Sequence, residues 1–255
     1  MELVTPVEVE APQLAADLGS TPYETALLLR GPSPVPLLRT EDRPRALDLL
    51  AKLRARGHHV VACDASAVVA SEAMVQPRSF RFEADALAVT SAEGQEDRVA
   101  FVDVVALVKA MHRSRTDHIE KTERSKFSLG RAAMSGGLLM TKKVTKEKIQ
   151  TSEEREQVLY VFRRGSVPLL FALSRTRYEG LGVDLRPAQI ENFVTLVRLL
   201  RERAASAPYD ERLLQPRPAA DRVVAGSGGM SSASSAANMD LLAHLIALAV
   251  VRTAR

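Results

Sequence analysis

The stretch from Glu156 to Ala204 constrains this chain most. Gln157-Val158-Leu159-Tyr160-Val161-Phe162 reads as a strand, Gly165-Ser166-Val167-Pro168 as a tight turn, and Leu169-Leu170-Phe171-Ala172-Leu173 as a returning strand that runs on to Tyr178. A helix is expected to open near Pro187. Ile190, Phe193, Val194, Val197 and Leu200 then fall at the i, i+3, i+4, i+7 spacing of a stripe lying on a core. A strand pair with a helix laid on it needs a layered fold, so the expected class is α+β.

Composition narrows the function classes. With 46% hydrophobic residues in 255, cores can form and wholesale disorder is excluded. Aromatic residues are only 4%, with no Trp, which argues against a base-stacking nucleic-acid surface. Cys63 is the single cysteine, so no internal disulfide and no multi-cysteine metal site is available. Met1 is followed by Glu2, Glu8 and Glu10 rather than a basic start and an apolar run, and no apolar run reaches the roughly 20 residues a bilayer requires. The expected location is cytoplasmic.

The remainder divides by pattern. Residues 1–20 are acidic and weakly patterned and read as a loose lead-in. Residues 21–76 read as a βαβ module. Thr25-Ala26-Leu27-Leu28-Leu29 is its first strand, and a helix starting at Glu41-Asp42 with Pro44 in its first turn follows. Its buried stripe is Ala46, Leu49, Leu50 and Leu53; Gly57 ends it, and His59-Val60-Val61-Ala62-Cys63 is the return strand. Residues 77–214 carry strand-like runs at Ser79–Glu83, Ala86–Val89, Arg98–Val102 and Val104–Val108, then the closing strand pair and helix. Residues 215–238, with Pro216, Pro218, Gly226, Gly228, Gly229 and a Ser/Ala run, read as a linker. Residues 239–255 read as a C-terminal helix capped by Asn238 or Asp240, apolar from Leu241 to Val251 except at His244.

Two resemblances follow from this order. Asp42–Asp64 is similar to the small ferredoxin-like modules of putative prokaryotic signal-transducing proteins. The elements around Arg98–Val108, Gln157–Tyr178 and Arg186–Arg203 resemble bacterial pleckstrin-homology-like domains. The resemblance implies an N-terminal βαβ ferredoxin-like module followed by an antiparallel β-barrel capped by a helix. Such barrels bind lipids, peptides or other domains and are rarely enzymes.

Candidate functional residues are few. Between Met111 and Gln150, ten Lys or Arg stand against four Asp or Glu, a local excess of +6 that suits an anionic partner. Lys126, Arg131, Lys142 and Lys143 are its candidate anionic-ligand residues, with anionic lipid as the possible ligand; a plain solvated surface is the alternative. Gly130, Gly136 and Gly137 lie between apolar residues, yet no Gly-Lys-Ser or Gly-Lys-Thr follows, so this is not a phosphate loop. Adjacent His58 and His59 point to opposite faces of a strand and do not chelate together. No catalytic residue, metal site or cofactor is assigned. The C-terminal helix is the other candidate: Leu241, Leu245 and Leu248 would dock on a protein partner or on a second copy of the chain, unless the helix covers its own body. The expected function is a non-enzymatic adaptor.

Overall fold

A computed structural model describes residues 3–31, 34–127, 141–215 and 235–253. The chain is α+β, with two sheets that do not close into a barrel.

The N-terminal region is helical where a lead-in and a strand were expected. Helix α1 spans Val7–Leu18 and ends at Gly19, whose φ of 71° is left-handed. Helix α2 spans Pro22–Leu29 and contains the expected strand Thr25–Leu29. The reason is local: Glu24 N–H donates to the Thr21 hydroxyl while Thr21 N–H donates to the Glu24 carboxylate. This capping box, with Pro22 in the first turn, starts a helix before the apolar residues can pair as a strand. Helix α3, Arg43–Ala55, is capped by Asp42, which accepts from Arg45 N–H at 2.9 Å. Leu49 and Leu53 are its buried residues, and they pack with Leu14, Leu18, Leu29, Val35 and Leu37. The expected return strand is reduced to a single bridged residue, His59.

The first sheet is an antiparallel meander of β1 (Pro77–Phe82), β2 (Ala86–Ser91) and β3 (Glu96–Ala100). The second has the order β6-β5-β4-β7, from β4 (Val104–Phe127), β5 (Thr141–Arg163), β6 (Leu169–Ala172) and β7 (Tyr209–Leu213). Strand β6 is antiparallel to β5, with Leu159 opposite Phe171. Strand β7 runs parallel to β4, pairing Leu107 with Tyr209, so the expected wholly antiparallel barrel is corrected on both counts.

Helix α4, Gln189–Arg203, and helix α5, Ser235–Thr253, take opposite faces of the second sheet. The period-2 alternation of strands decides which residue goes where. Leu107, Leu159, Val161, Leu169 and Phe171 meet α4 and the first sheet. Ala106, Val108, Val158, Tyr160, Phe162 and Leu170 meet α5. A sheet covered on both sides has unbroken apolar strands, which accounts for the run from Val158 to Phe162. The buried face of α4 is Asn192, Phe193, Leu196, Val197 and Leu200, whereas Ile190 and Val194, expected inside, are 44% and 52% exposed. Asn192 sets that rotation: its amide accepts from Arg186 N–H at 2.7 Å and donates to Arg186 O at 2.8 Å, fastening the entry of the helix.

Residues 113–155 form a separate compact unit. Here β4 and β5 are neighbours in a two-stranded ribbon. Each strand contributes roughly 50 Å of extended chain at 3.3 Å per residue.

Candidate functional site

The expected linker and tail differ in one respect that creates a site. Helix α5 starts at Ser235, so Asp240, expected as a cap, lies inside it. Its inner face is Asp240, Leu242, Ala243, Ile246 and Ala247, all buried. Ala243 and Ala247 are one turn apart and meet small residues of the sheet, Ala106, Ala110 and Ala172, which lets the helix approach closely. Leu242 and Ile246 each contribute about 2 kcal/mol through removal from water.

Asp240 is 1% exposed and is met by donors only. Ser71 donates its N–H at 2.8 Å and its hydroxyl at 2.5 Å. Tyr160 donates its phenol at 2.7 Å. With its proton so placed, the Tyr160 oxygen accepts from His112 Nε2–H, 2.6 Å away. His244, one turn after Asp240, donates Nδ1–H to the Asp240 carbonyl at 2.9 Å and accepts at Nε2 from Val69 N–H at 3.3 Å. Its ring meets Phe162 edge to face at 4.9 Å. One part of the helix is thus tied to sequence positions far away: the short turn at Ser71–Ala73, His112 in β4 and Tyr160 near the end of β5.

The electrostatics follow from burial. Burial, then the nearby Asp240 charge, pushes the Tyr160 phenol far above its ordinary value. Burial holds the His112 imidazole below its usual value, against the opposing charges of Asp240, Glu156 and Glu72. Burial likewise lowers His244, opposed by the Asp240 carbonyl and carboxylate. His244 accepts at Nε2 and so uses that nitrogen's lone pair, while His112 donates from its Nε2. Among the described residues no group of His, Cys, Asp and Glu has metal-binding geometry.

The expected partner residues sit on the opposite face of α5. Leu241 and Leu245 are half-buried and Leu248 is 41% exposed. Their i, i+4, i+7 spacing aligns them as one outer row. The helix therefore covers its own sheet with one face and keeps the leucine row outward. Of the anionic-ligand candidates, Lys126 lies at the end of β4, and Lys142 and Lys143 at the start of β5. Strands β4 and β5 are neighbours in the sheet; Arg131 lies outside the described residues. A second apolar surface lies at the start of α4, where a shallow groove of about 600 Å³ is lined by Arg186, Pro187, Ile190, Glu191, Val194 and Thr195. His58 and His59 separate as expected, His58 buried against Glu10 and His59 exposed.

Sequence reasoning missed Ser71, His112, Tyr160 and Asp240 as a group. The available signal was Asp240 and His244 one turn apart in an apolar helix, the spacing of two polar groups sharing an edge. No protein-family model matches the chain, and no curated protein or solved structure is similar to it.

Proposed function

We propose that the chain is a non-enzymatic, cytoplasmic adaptor or regulatory protein that binds a protein partner through its sheet domain and C-terminal helix. The observation that carries this reading is the outer leucine row of α5. A helix that served only to cover its own sheet would gain from polar residues at Leu241, Leu245 and Leu248. Apolar residues there suit a helix that is fixed by one face and recognised by the other. The three-stranded meander, second sheet and following helix support a pleckstrin-homology-like relation for residues 77–214. For residues 21–76 the support for a ferredoxin-like relation is thinner, namely helix α3 and single bridged residues at Arg39 and His59. The test is capture of partners from native lysate by the full chain and by a Leu241→Ser, Leu245→Ser, Leu248→Ser variant of unchanged melting temperature. A partner lost with the variant is the expected result; undiminished capture overturns the reading.

A second reading is favoured by the charge distribution. Residues 113–155 hold eleven Lys or Arg against six Asp or Glu, a net +5, so with a chain total of +4 the rest carries −1. Concentrating the charge on one ribbon supports binding to an anionic lipid surface near Lys126, Lys142 and Lys143. Co-sedimentation with phosphatidylserine vesicles at low salt, lost when the screening length falls below about 10 Å above 0.1 M, is the expected result. Failure to sediment at low salt removes this reading. Among the described residues, no helix is long and apolar enough to cross a membrane.

A further inference from the structure

Strand β4 carries a lysine inside the fold. Alternation sends Leu107 to the face of the sheet covered by α4, and Ala106, Val108 and Ala110 to the face covered by α5. Lys109 follows Leu107 on the α4 side, at a position where an apolar residue is expected. It is 9% exposed, and its ammonium lies 5.5 Å above the centre of the fully buried Phe193 ring. A buried lysine usually has an ion partner. Among the described residues, this amine makes no hydrogen bond and no ion pair, and it is not among the polar atoms sealed from solvent.

The backbone beside it is irregular. Val108 stands opposite Asp210 and Ala110 opposite Leu213, so two residues of β7, Glu211 and Arg212, answer to Lys109 alone. An extra residue in one strand re-aims the side chains next to it. Burial pulls the Lys109 ammonium below its ordinary value, opposed by the Glu211 charge. A desolvated lysine of this kind supplies more free amine at neutral pH, and the free amine is the nucleophile.

We infer that Lys109 is a carbonyl-capturing amine that takes a small apolar aldehyde as a Schiff base. The Nζ lone pair attacks the carbonyl carbon, and the carbonyl oxygen takes a proton to give a carbinolamine. The nitrogen lone pair then forms the C=N bond as water leaves, and the imine takes a proton to become an iminium. Amine and aldehyde thus give imine and water, with no oxidant or reductant. The surroundings select this product. The Phe193 face and the Glu211 carboxylate both favour a cation. An iminium remains one, whereas acylation would leave a neutral amide and carbon dioxide an anionic carbamate. The small exposed fraction restricts the aldehyde to a short chain, and the ring favours an apolar one.

The test treats the full chain at pH 7 with propanal and cyanoborohydride, which reduces an iminium to a stable secondary amine. Modification of each lysine is followed by peptide mass spectrometry. Lys52 is the internal reference: it is half exposed, pairs with Asp48 at 2.8 Å, and is held above its ordinary value by that contact. The propyl group should appear on Lys109 at least tenfold faster than on Lys52. Glu211→Gln removes the charge that favours the ammonium and should raise the Lys109 rate at pH 7 further. Modification of Lys52 as fast as that of Lys109 overturns the inference. So does labelling of Lys109 only after the chain is unfolded in urea, or a Lys109 rate that Glu211→Gln lowers.

Discussion

Among the described residues, Glu10 and Asp240 are the two most deeply buried carboxylates, and they are satisfied in different ways. Glu10, on α1, meets the Arg56 guanidinium at 2.9 Å and the His58 imidazole Nε2 at 2.8 Å. Arg56 also reaches Asp17 at 2.8 Å, and Lys52 lies 3.6 Å from Asp17. These are charge contacts more than aligned hydrogen bonds, since Glu10 Oε1, Arg56 Nε and His58 Nε2 lack a well-directed partner. Asp240, on α5, makes no ion pair among the described residues and is met by neutral donors. The difference bears on reversibility. Separating the first cluster strands buried charges of both signs. Withdrawing α5 leaves hydroxyls and an amide that water satisfies, and a carboxylate that water solvates well. The first contact joins opposite charges within the N-terminal helices; the second joins a helix to its sheet through neutral donors.

That comparison can be broken most readily at Glu10. Glu10→Ala leaves Arg56 and His58 without their buried partner and should cost about 3–5 kcal/mol in urea unfolding. A loss below about 1 kcal/mol would show that the Glu10 contacts do not hold the N-terminal helices together.

Acid sharpens the comparison from the other side. His244 faces the Asp240 carboxylate and carbonyl, the Val69 N–H and the Phe162 ring. His112 faces Tyr160, with the charges of Asp240, Glu156, Glu72 and Arg175 around it. Both imidazoles are held below the value of about 6.5 that they would have on release. The released state therefore binds more protons below that pH, so the stability of the contact between α5 and its sheet is complete above about 6.5 and declines as pH falls. Amide protection in α5 should drop between pH 7 and 5 while that of α4 holds. Equal behaviour of the two helices would contradict this.

The smallest effect belongs to α4. Ile190→Ser together with Val194→Ser should change stability by no more than about 0.5 kcal/mol each, because both side chains stand in the open groove. A thermal melt lowered as far as by a core substitution would put them back inside.

Much of this architecture was legible in the residues. The β5–β6 pair with its turn at Gly165, α3 between Asp42 and Gly57, and the helix after Pro187 all stand where periodicity and caps put them. The capping box at Thr21–Glu24 was equally legible, but the apolar run Thr25–Leu29 overshadowed it. Strand β7 was hidden because Tyr209-Asp210-Glu211-Arg212-Leu213 is mostly charged; its pairing with β4 comes from the crossover through α4, a tertiary fact. Tyr160 lies in a run whose unbroken apolarity already implied two covered faces, and the cover on the second face is α5. The site could not be read in the same way. Ser71, His112, Tyr160 and Asp240 are brought together only by the fold, and no local spacing links them.

The most direct test of Asp240 as the polar anchor of α5 is hydrogen exchange on the full chain, wild type and Asp240→Ala, followed by mass spectrometry. The account predicts that amides of residues 239–251 exchange ahead of those in β5, β6 and α4. In the variant they should exchange about 100-fold faster still, a loss of about 3 kcal/mol from hydrogen bonds to a charged group, with the sheet's protection unchanged. Exchange of α5 only in step with the sheet, in both proteins, would contradict that account.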